Sequence, residues 1–207
     1  MLTIHHLGNS RSERIIWLAE ELAIPYTLVR HDRDPQTMRS PASLWAVSPL
    51  GKAPVIQDDG VTVSESGAVI EYLLQRYGNG RLQPAVGSAA WVNYLHWMHA
   101  AESTLMTPIL FNLLSTMMQV NSPQMGGFVA SELETLCKYI SGQLSAHEYI
   151  AGDEFTAADI MVSYTLSLAR MVPVPNFSLD DYPAIAAYLD RIQARPAFQR
   201  ALQVQQG

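Results

Sequence analysis

Cysteine is nearly absent. The 207 residues hold a single one, Cys137, which excludes an internal disulfide and fits a reducing compartment, the cytosol by default. Basic residues are few: 13 Lys and Arg against 19 Asp and Glu leave a net charge of −6. Phosphate backbones need clustered cations, so no nucleic-acid partner is expected. No run of about 18 apolar residues occurs, so no membrane span is expected. Met1-Leu2-Thr3-Ile4-His5-His6 lacks the basic start and apolar stretch of a signal peptide. Charged residues make up only 15% and hydrophobic ones 48%, which favours a well-buried core over disorder.

What is present divides the chain. Leu2 to Leu7 reads as a strand broken at Asn9-Ser10. From Arg11 to Ala23, Ile15, Leu18, Ala19 and Leu22 recur at helical spacing. Pro25 ends that helix, and Tyr26 to Val29 supplies a strand parallel to the first through a right-handed crossover. The β-branched runs around Asp59-Gly60 predict a hairpin. A helix then follows from Ser64-Glu65-Ser66 to Tyr77, with Val69, Ile70, Leu73 and Leu74 as its apolar stripe. This β-α-β then β-β-α order predicts a thioredoxin-like α/β domain with a mixed four-stranded sheet over residues 1–78. Gly78-Asn79-Gly80 and Pro84 to Gly87 mark a linker at 79–87. Residues 88–207 carry no strand pattern and predict an all-α domain. Its expected helices are 89–118 kinked at Pro108, 128–144 after Gly126-Gly127, 156–171 and 183–203.

Three stretches of the first domain carry chemistry. Asn9-Ser10-Arg11-Ser12 lies at a strand-to-helix turn, where N–H groups and the helix dipole favour an anion such as a thiolate. A hydroxyl or amide donor there lowers a thiol's pKa, although from the local sequence alone a helix cap is the commoner job of a residue such as Ser10 or Ser12. The X-Pro bond of Ala53-Pro54, ahead of a hairpin strand, suits a cis peptide that offers the Ala53 backbone to an extended ligand. Lys52 stands near for a terminal carboxylate, or is an ordinary solvated lysine. Ser66 at a helix start suits a carboxylate and Glu65 an ammonium, the two charges of an α-amino acid head, with a plain cap as the alternative. A thiolate site, a strand edge and an amino acid head site together describe glutathione.

Pro49-Leu-Gly-Lys-Ala-Pro54-Val-Ile and Glu65-Ser-Gly-Ala-Val-Ile-Glu-Tyr-Leu73 resemble the glutathione-binding half of the cytosolic glutathione transferases. His6-Leu-Gly-Asn-Ser-Arg-Ser-Glu-Arg14 and the following Ile15 to Glu21 resemble the fungal and bacterial branch near the theta-like enzymes. Phe155-Thr156-Ala-Ala-Asp159-Ile160 resembles the family's capping box and hydrophobic staple, with Thr156 as N-cap, Asp159 reaching back and Phe155 against Ile160. The resemblance covers nearly the whole chain.

It implies a cytoplasmic, homodimeric detoxification enzyme that uses glutathione as co-substrate and needs no metal or other cofactor. Glu65 and Ser66 match the pair for the γ-glutamyl head, Ala53 the residue pairing with the cysteinyl unit, and Pro54 the cis-proline. Lys52, Arg39 and Arg11 complete the implied glutathione contacts. For the activating group the match is imperfect. Related enzymes place a serine near Asn9, with Ser10 next in line; the tyrosine of other classes would fall at His5, and Cys137 lies in the helical domain. Ser10 or Asn9 is therefore expected to stabilise the thiolate, the choice leaning to Ser10. A small apolar electrophile is expected against the 89–118 region, near Glu102 and Met106. Asn9 also keeps open a glutathione-dependent peroxidase or disulfide reductase, and the fold is reused in non-catalytic binding modules. His96, His99 and Glu102 share a helical face, a weaker pattern for a metal.

Overall fold

The computed structural model describes residues 1–120 and 122–206, in two compact units, Met1–Leu82 with the chain from Ala194 onward, and Gln83–Gln193. In the first unit, β1 (Leu2–Leu7), β2 (Tyr26–His31), β3 (Val55–Asp58) and β4 (Val61–Ser64) form one four-stranded sheet in the order β2-β1-β3-β4. β1 and β2 are parallel and the other pairs antiparallel. The mixed thioredoxin-like sheet expected from the sequence is present. Asp59 and Gly60 both take positive φ in the hairpin turn, as a two-residue primed turn requires.

α1 (Glu13–Leu22) buries Ile15, Ile16, Leu18, Ala19 and Leu22. Its last turn is closed by Ala23 in the left-handed conformation, two residues ahead of Pro25. A single short turn of helix, α2 (Ala42–Trp45), lies in the loop before β3. α3 (Ser66–Leu73) buries Ser66, Val69, Ile70 and Leu73 and passes into a π turn, Leu74–Gly78. Residues 79–82, expected in the linker, group with this unit, where the Arg81 guanidinium donates to the Leu22 carbonyl at 2.9 Å.

The second unit is helical: α4 (Ala89–Ala100), α5 (Met106–Met117), α6 (Pro123–Ala146), α7 (Ala157–Met171) and α8 (Pro183–Gln193). Among its described residues the only β pairing is two isolated bridges. The single helix expected over 89–118 is broken at 101–105, and Pro108 falls in the first turn of α5 rather than at a kink. A first turn has no intrahelical use for its N–H groups, so proline is tolerated there. Gly126 and Gly127, expected to separate helices, lie inside α6. Ser122 caps that helix by accepting from Met125 N at 3.2 Å, with Pro123 at its first position. Burial of Val129, Leu133, Cys137 and Ile140 on one face outweighs the ~1 kcal/mol that each helical glycine costs.

The helix expected over 183–203 is two. It stops at Gln193, and α9 (Pro196–Gln206) restarts on a proline, since the residue before a proline resists the helical conformation. α9 packs on α1 in the first unit, so residues from Ala194 onward do not group with the helical domain to which the sequence assigned them. Trp17 meets Phe198 edge-on at 5.0 Å, and Arg200 pairs with Glu20.

Candidate functional site

The sheet register assembles the site. His5 on β1 is paired with Val55 on β3, and Val55 with Ser64 on β4. The end of β1, the start of β3 and the end of β4 therefore share one end of the sheet. From it lead the turn 8–12 into α1, the Ala53-Pro54 peptide and the Glu65-Ser66 step into α3. The Ala53-Pro54 bond is cis, as expected.

At the first stretch Asn9 is exposed with φ 52° and Ser10 half-buried. The Arg33 guanidinium ties this turn down by donating to the carbonyls of Gly8 at 3.0 Å and Asn9 at 3.2 Å. Ser12 occupies the N-cap position of α1 but makes no cap bond. Its hydroxyl lies 2.9 Å from His6 Nδ1, and it accepts from Leu7 N at 3.2 Å. The cap reading of Ser12 is thus replaced by a bond to β1. Ser10 Oγ lies 2.8 Å from Ser12 Oγ, and Ser10 N–H donates to Glu13 Oε1 at 3.2 Å. Burial raises the Glu13 carboxyl above its usual range.

The second stretch is held by short bonds. Ser48 Oγ donates to Lys52 O at 3.0 Å and accepts from Lys52 N at 3.2 Å, and Ser40 Oγ donates to Gly51 O at 2.7 Å. Gly51 has φ +58°, and a Cβ there would stand 2.3 Å from the Trp45 ring. A side chain there would strain the backbone and displace the Trp45 ring. Lys52 and Arg39 are exposed, while Ala53 is half-buried.

At the third stretch the cap position belongs to Glu65, not Ser66. Glu65 is exposed and takes φ 75°, ψ 128°, a conformation that costs a non-glycine residue about 1–3 kcal/mol and gathers at functional sites. Ser66 is the first helical residue, and its buried Oγ has no hydrogen-bond partner among the described residues. A buried unpaired hydroxyl is costly.

The remaining candidates lie in the second unit. Glu102 is half-buried in the turn 101–105, and Met106 at the first position of α5 is fully buried, so it packs that unit's core. Cys137 is buried, which pushes its thiol up to about 12 and leaves it inert. Among the described residues no three His, Cys, Asp or Glu side chains gather as metal ligands, His96, His99 and Glu102 included. Among them, too, no helix is long and apolar enough to cross a membrane.

The sequence reading passed over three groups: His6, Arg33 and the backbone of Glu65. His5, where other classes would carry their tyrosine, is buried within a hydrogen-bonded chain that ends at the exposed Gln57 and Ser43. Its Nδ1 is 3.0 Å from His31 Nε2, its Nε2 3.1 Å from Gln57 Oε1, and His31 Nδ1 2.9 Å from Ser43 Oγ.

The chain and its fold have counterparts. Residues 5–81 match the family model described as glutathione S-transferase, N-terminal domain, and residues 104–203 the model of its C-terminal domain. Glutathione S-transferase 3 of Schizosaccharomyces pombe is 34% identical over 95% of this chain and 85% of its own length. Glutathione S-transferase 1 of Saccharomyces cerevisiae is 25% identical over 96% of this chain and 92% of its own. A crystal structure of a glutathione S-transferase from Actinobacillus pleuropneumoniae superimposes with a TM-score of 0.90 at 31% identity, covering 100% of this chain and 94% of that one.

Proposed function

The chain belongs to the glutathione S-transferase family and is a glutathione transferase, and from that premise we propose that it conjugates the glutathione thiolate to small apolar electrophiles. The tripeptide lies along the start of β3, its γ-glutamyl head at Glu65 and Ser66, its cysteinyl unit on the Ala53 backbone beside Pro54. Its glycyl carboxylate meets Lys52 and Arg39, and Arg11 completes the glutathione contacts. The sulfur sits at the N-terminus of α1, where the helix end and the Ser10 hydroxyl stabilise the thiolate. Such donors supply roughly 2 to 4 kcal/mol in other anion sites, and holding the two reactants together supplies much of the rest. Glu102 is assigned to the electrophile, and the working form is a cytoplasmic homodimer.

The single observation that carries this reading is Ser66 Oγ, buried and without a partner among the described residues, at a helix start on the same sheet end as Ser10 and Ala53. A carboxylate is the ligand such a hydroxyl suits. Calorimetric titration with glutathione tests it: binding is expected, and its absence overturns the reading. Asn9, exposed on the same turn as Ser10, favours one second reading, a glutathione-dependent peroxidase or disulfide reductase. Turnover of an aryl halide, a hydroperoxide and a mixed disulfide, with glutathione fixed, separates the two.

A further inference from the structure

His6, Ser12 and Ser10 form a hydrogen-bonded chain that runs from the buried sheet to the open end of α1. His6 and Ser12 are buried and Ser10 is half-buried. Ser12 Oγ lies 2.9 Å from His6 Nδ1 and 2.8 Å from Ser10 Oγ, and accepts the Leu7 N–H at 3.2 Å. Ser10 Oγ also accepts the Ser12 N–H at 3.3 Å. A serine hydroxyl has one proton and two acceptor sites, and a neutral imidazole one ring proton, so the protons can be counted.

With the His6 proton on Nδ1, Ser12 accepts from His6 and Leu7 and gives its own proton to Ser10. Both acceptor sites of Ser10 are then filled by Ser12, and the Ser10 proton points out of the chain. With the proton on Nε2, Ser12 donates to His6 and accepts from Ser10, whose proton is consumed inside. Ser12 is equally satisfied in both states; they differ only at Ser10. The longer contact of Ser12 Oγ to Leu7 O, at 3.4 Å, is the weaker use of the Ser12 proton.

We propose that His6 and Ser12 are positioning residues for the Ser10 hydroxyl, the Nδ1–H tautomer of His6 turning the chain so that Ser10 gives its only proton to the thiolate. The inference rests on the glutathione reading above. An anion at Ser10 favours that tautomer for the same reason that any ligand favours the state it binds better. Burial, helped by Arg30 and His31, lowers His6 to about 4, so near neutral pH the choice is between tautomers and not between charges.

The test reads bound glutathione's thiolate by its ultraviolet absorbance as a function of pH. Ser10→Ala is expected to reduce the thiolate fraction at fixed pH by about tenfold, the worth of one hydrogen bond to a charged group. His6→Phe and Ser12→Ala are expected to reduce it severalfold in the native background and not at all in the Ser10→Ala background. His6→Asn, whose amide can donate from the Nδ1 position, is expected to restore it, a recovery that a merely structural role would not give. If Ser10→Ala acts and His6→Phe and Ser12→Ala do not, the inference falls and the glutathione reading stands. If wild type binds no glutathione, or Ser10→Ala changes nothing, the chain has no hydroxyl to position and the inference falls too; only the first of these also sinks the glutathione reading. Where the variants do not fold, ¹⁵N-histidine-labelled wild type decides. His6 protonated at Nδ1 in the glutathione complex supports the inference, and protonation at Nε2 overturns it.

Discussion

Glu21 on α1 grips Arg195 with both carboxylate oxygens, at 2.7 Å from Nε and 2.9 Å from NH2. The same carboxylate accepts the Trp17 indole N–H at 3.0 Å, and the Glu21 side chain is only 8% exposed. A bidentate pair this sheltered is worth more than a surface ion pair. Arg195→Ala leaves a nearly buried carboxylate half-satisfied and is expected to lower unfolding stability by about 2 kcal/mol. Glu21→Gln and Arg195→Ala together should cost less than the sum of the two. Denaturant titration of the single and double variants checks both statements, and additive losses would show that the pair is not coupled.

That pair also marks a limit of sequence reading. A helix over 183–203 is legible in the sequence, but its break at Ala194-Arg195 was not expected, and nothing local tells Arg195 that its partner lies 174 residues earlier. β1, the Asp59-Gly60 hairpin and the cis Ala53-Pro54 bond were legible because each rests on local chemistry. That the three candidate stretches meet at one end of the sheet was legible for the same reason. The role of Ser12 was not, since its bond to His6 exists only once β1 and the turn into α1 are folded together. Nor was Glu65's positive φ, because a glutamate carries no signal for that conformation.

Asp159, fully buried, accepts from Thr156 N at 2.8 Å, Ile150 N at 2.9 Å and the Tyr188 hydroxyl at 2.9 Å. The capping box expected at Thr156 is formed, while Phe155 meets Tyr149 edge-on at 5.6 Å. Asp159→Ala strands these donors and is expected to cost about 3 kcal/mol or more in a thermal melt. An unchanged melting temperature would deny the box any energetic weight.

The same residue predicts a pH dependence. Burial outweighs its hydrogen bonds and raises Asp159 from 3.8 to about 6. A folded value above the unfolded one means that the folded protein binds the proton first. The contribution is complete below about pH 4 and is lost as pH rises through about 6. The stability advantage of wild type over Asp159→Ala should therefore widen as pH falls from 7 to 4. An advantage that shrinks over that range would show the carboxylate held low by its donors instead.

Glu65→Ala and Ser66→Ala are each expected to weaken glutathione binding by about 10- to 100-fold, because each removes a charge-assisted partner of the head group. Ser66→Ala should also leave stability unchanged or slightly raised, since it deletes a buried hydroxyl with no partner among the described residues. Calorimetry and a melt together separate these effects. Unchanged affinity in both variants would move the head group elsewhere.

The last prediction concerns which donor meets the sulfur. Ser10 and Asn9 share the turn before α1, one half-buried and hydrogen-bonded to Ser12, the other exposed with φ 52°. Ser10→Ala is expected to lower kcat for an aryl halide by about tenfold with little change in glutathione affinity, because the hydroxyl interacts with the thiolate more strongly than with the thiol. Asn9→Ala is the comparison. If it carries the larger loss, and the loss falls on a hydroperoxide or mixed disulfide rather than the aryl halide, the amide is the donor and the redox reading replaces conjugation. If neither variant shifts the bound thiol's titration, the α1 helix end and its N–H groups hold the thiolate unaided, and the assignment of a side-chain activator is wrong.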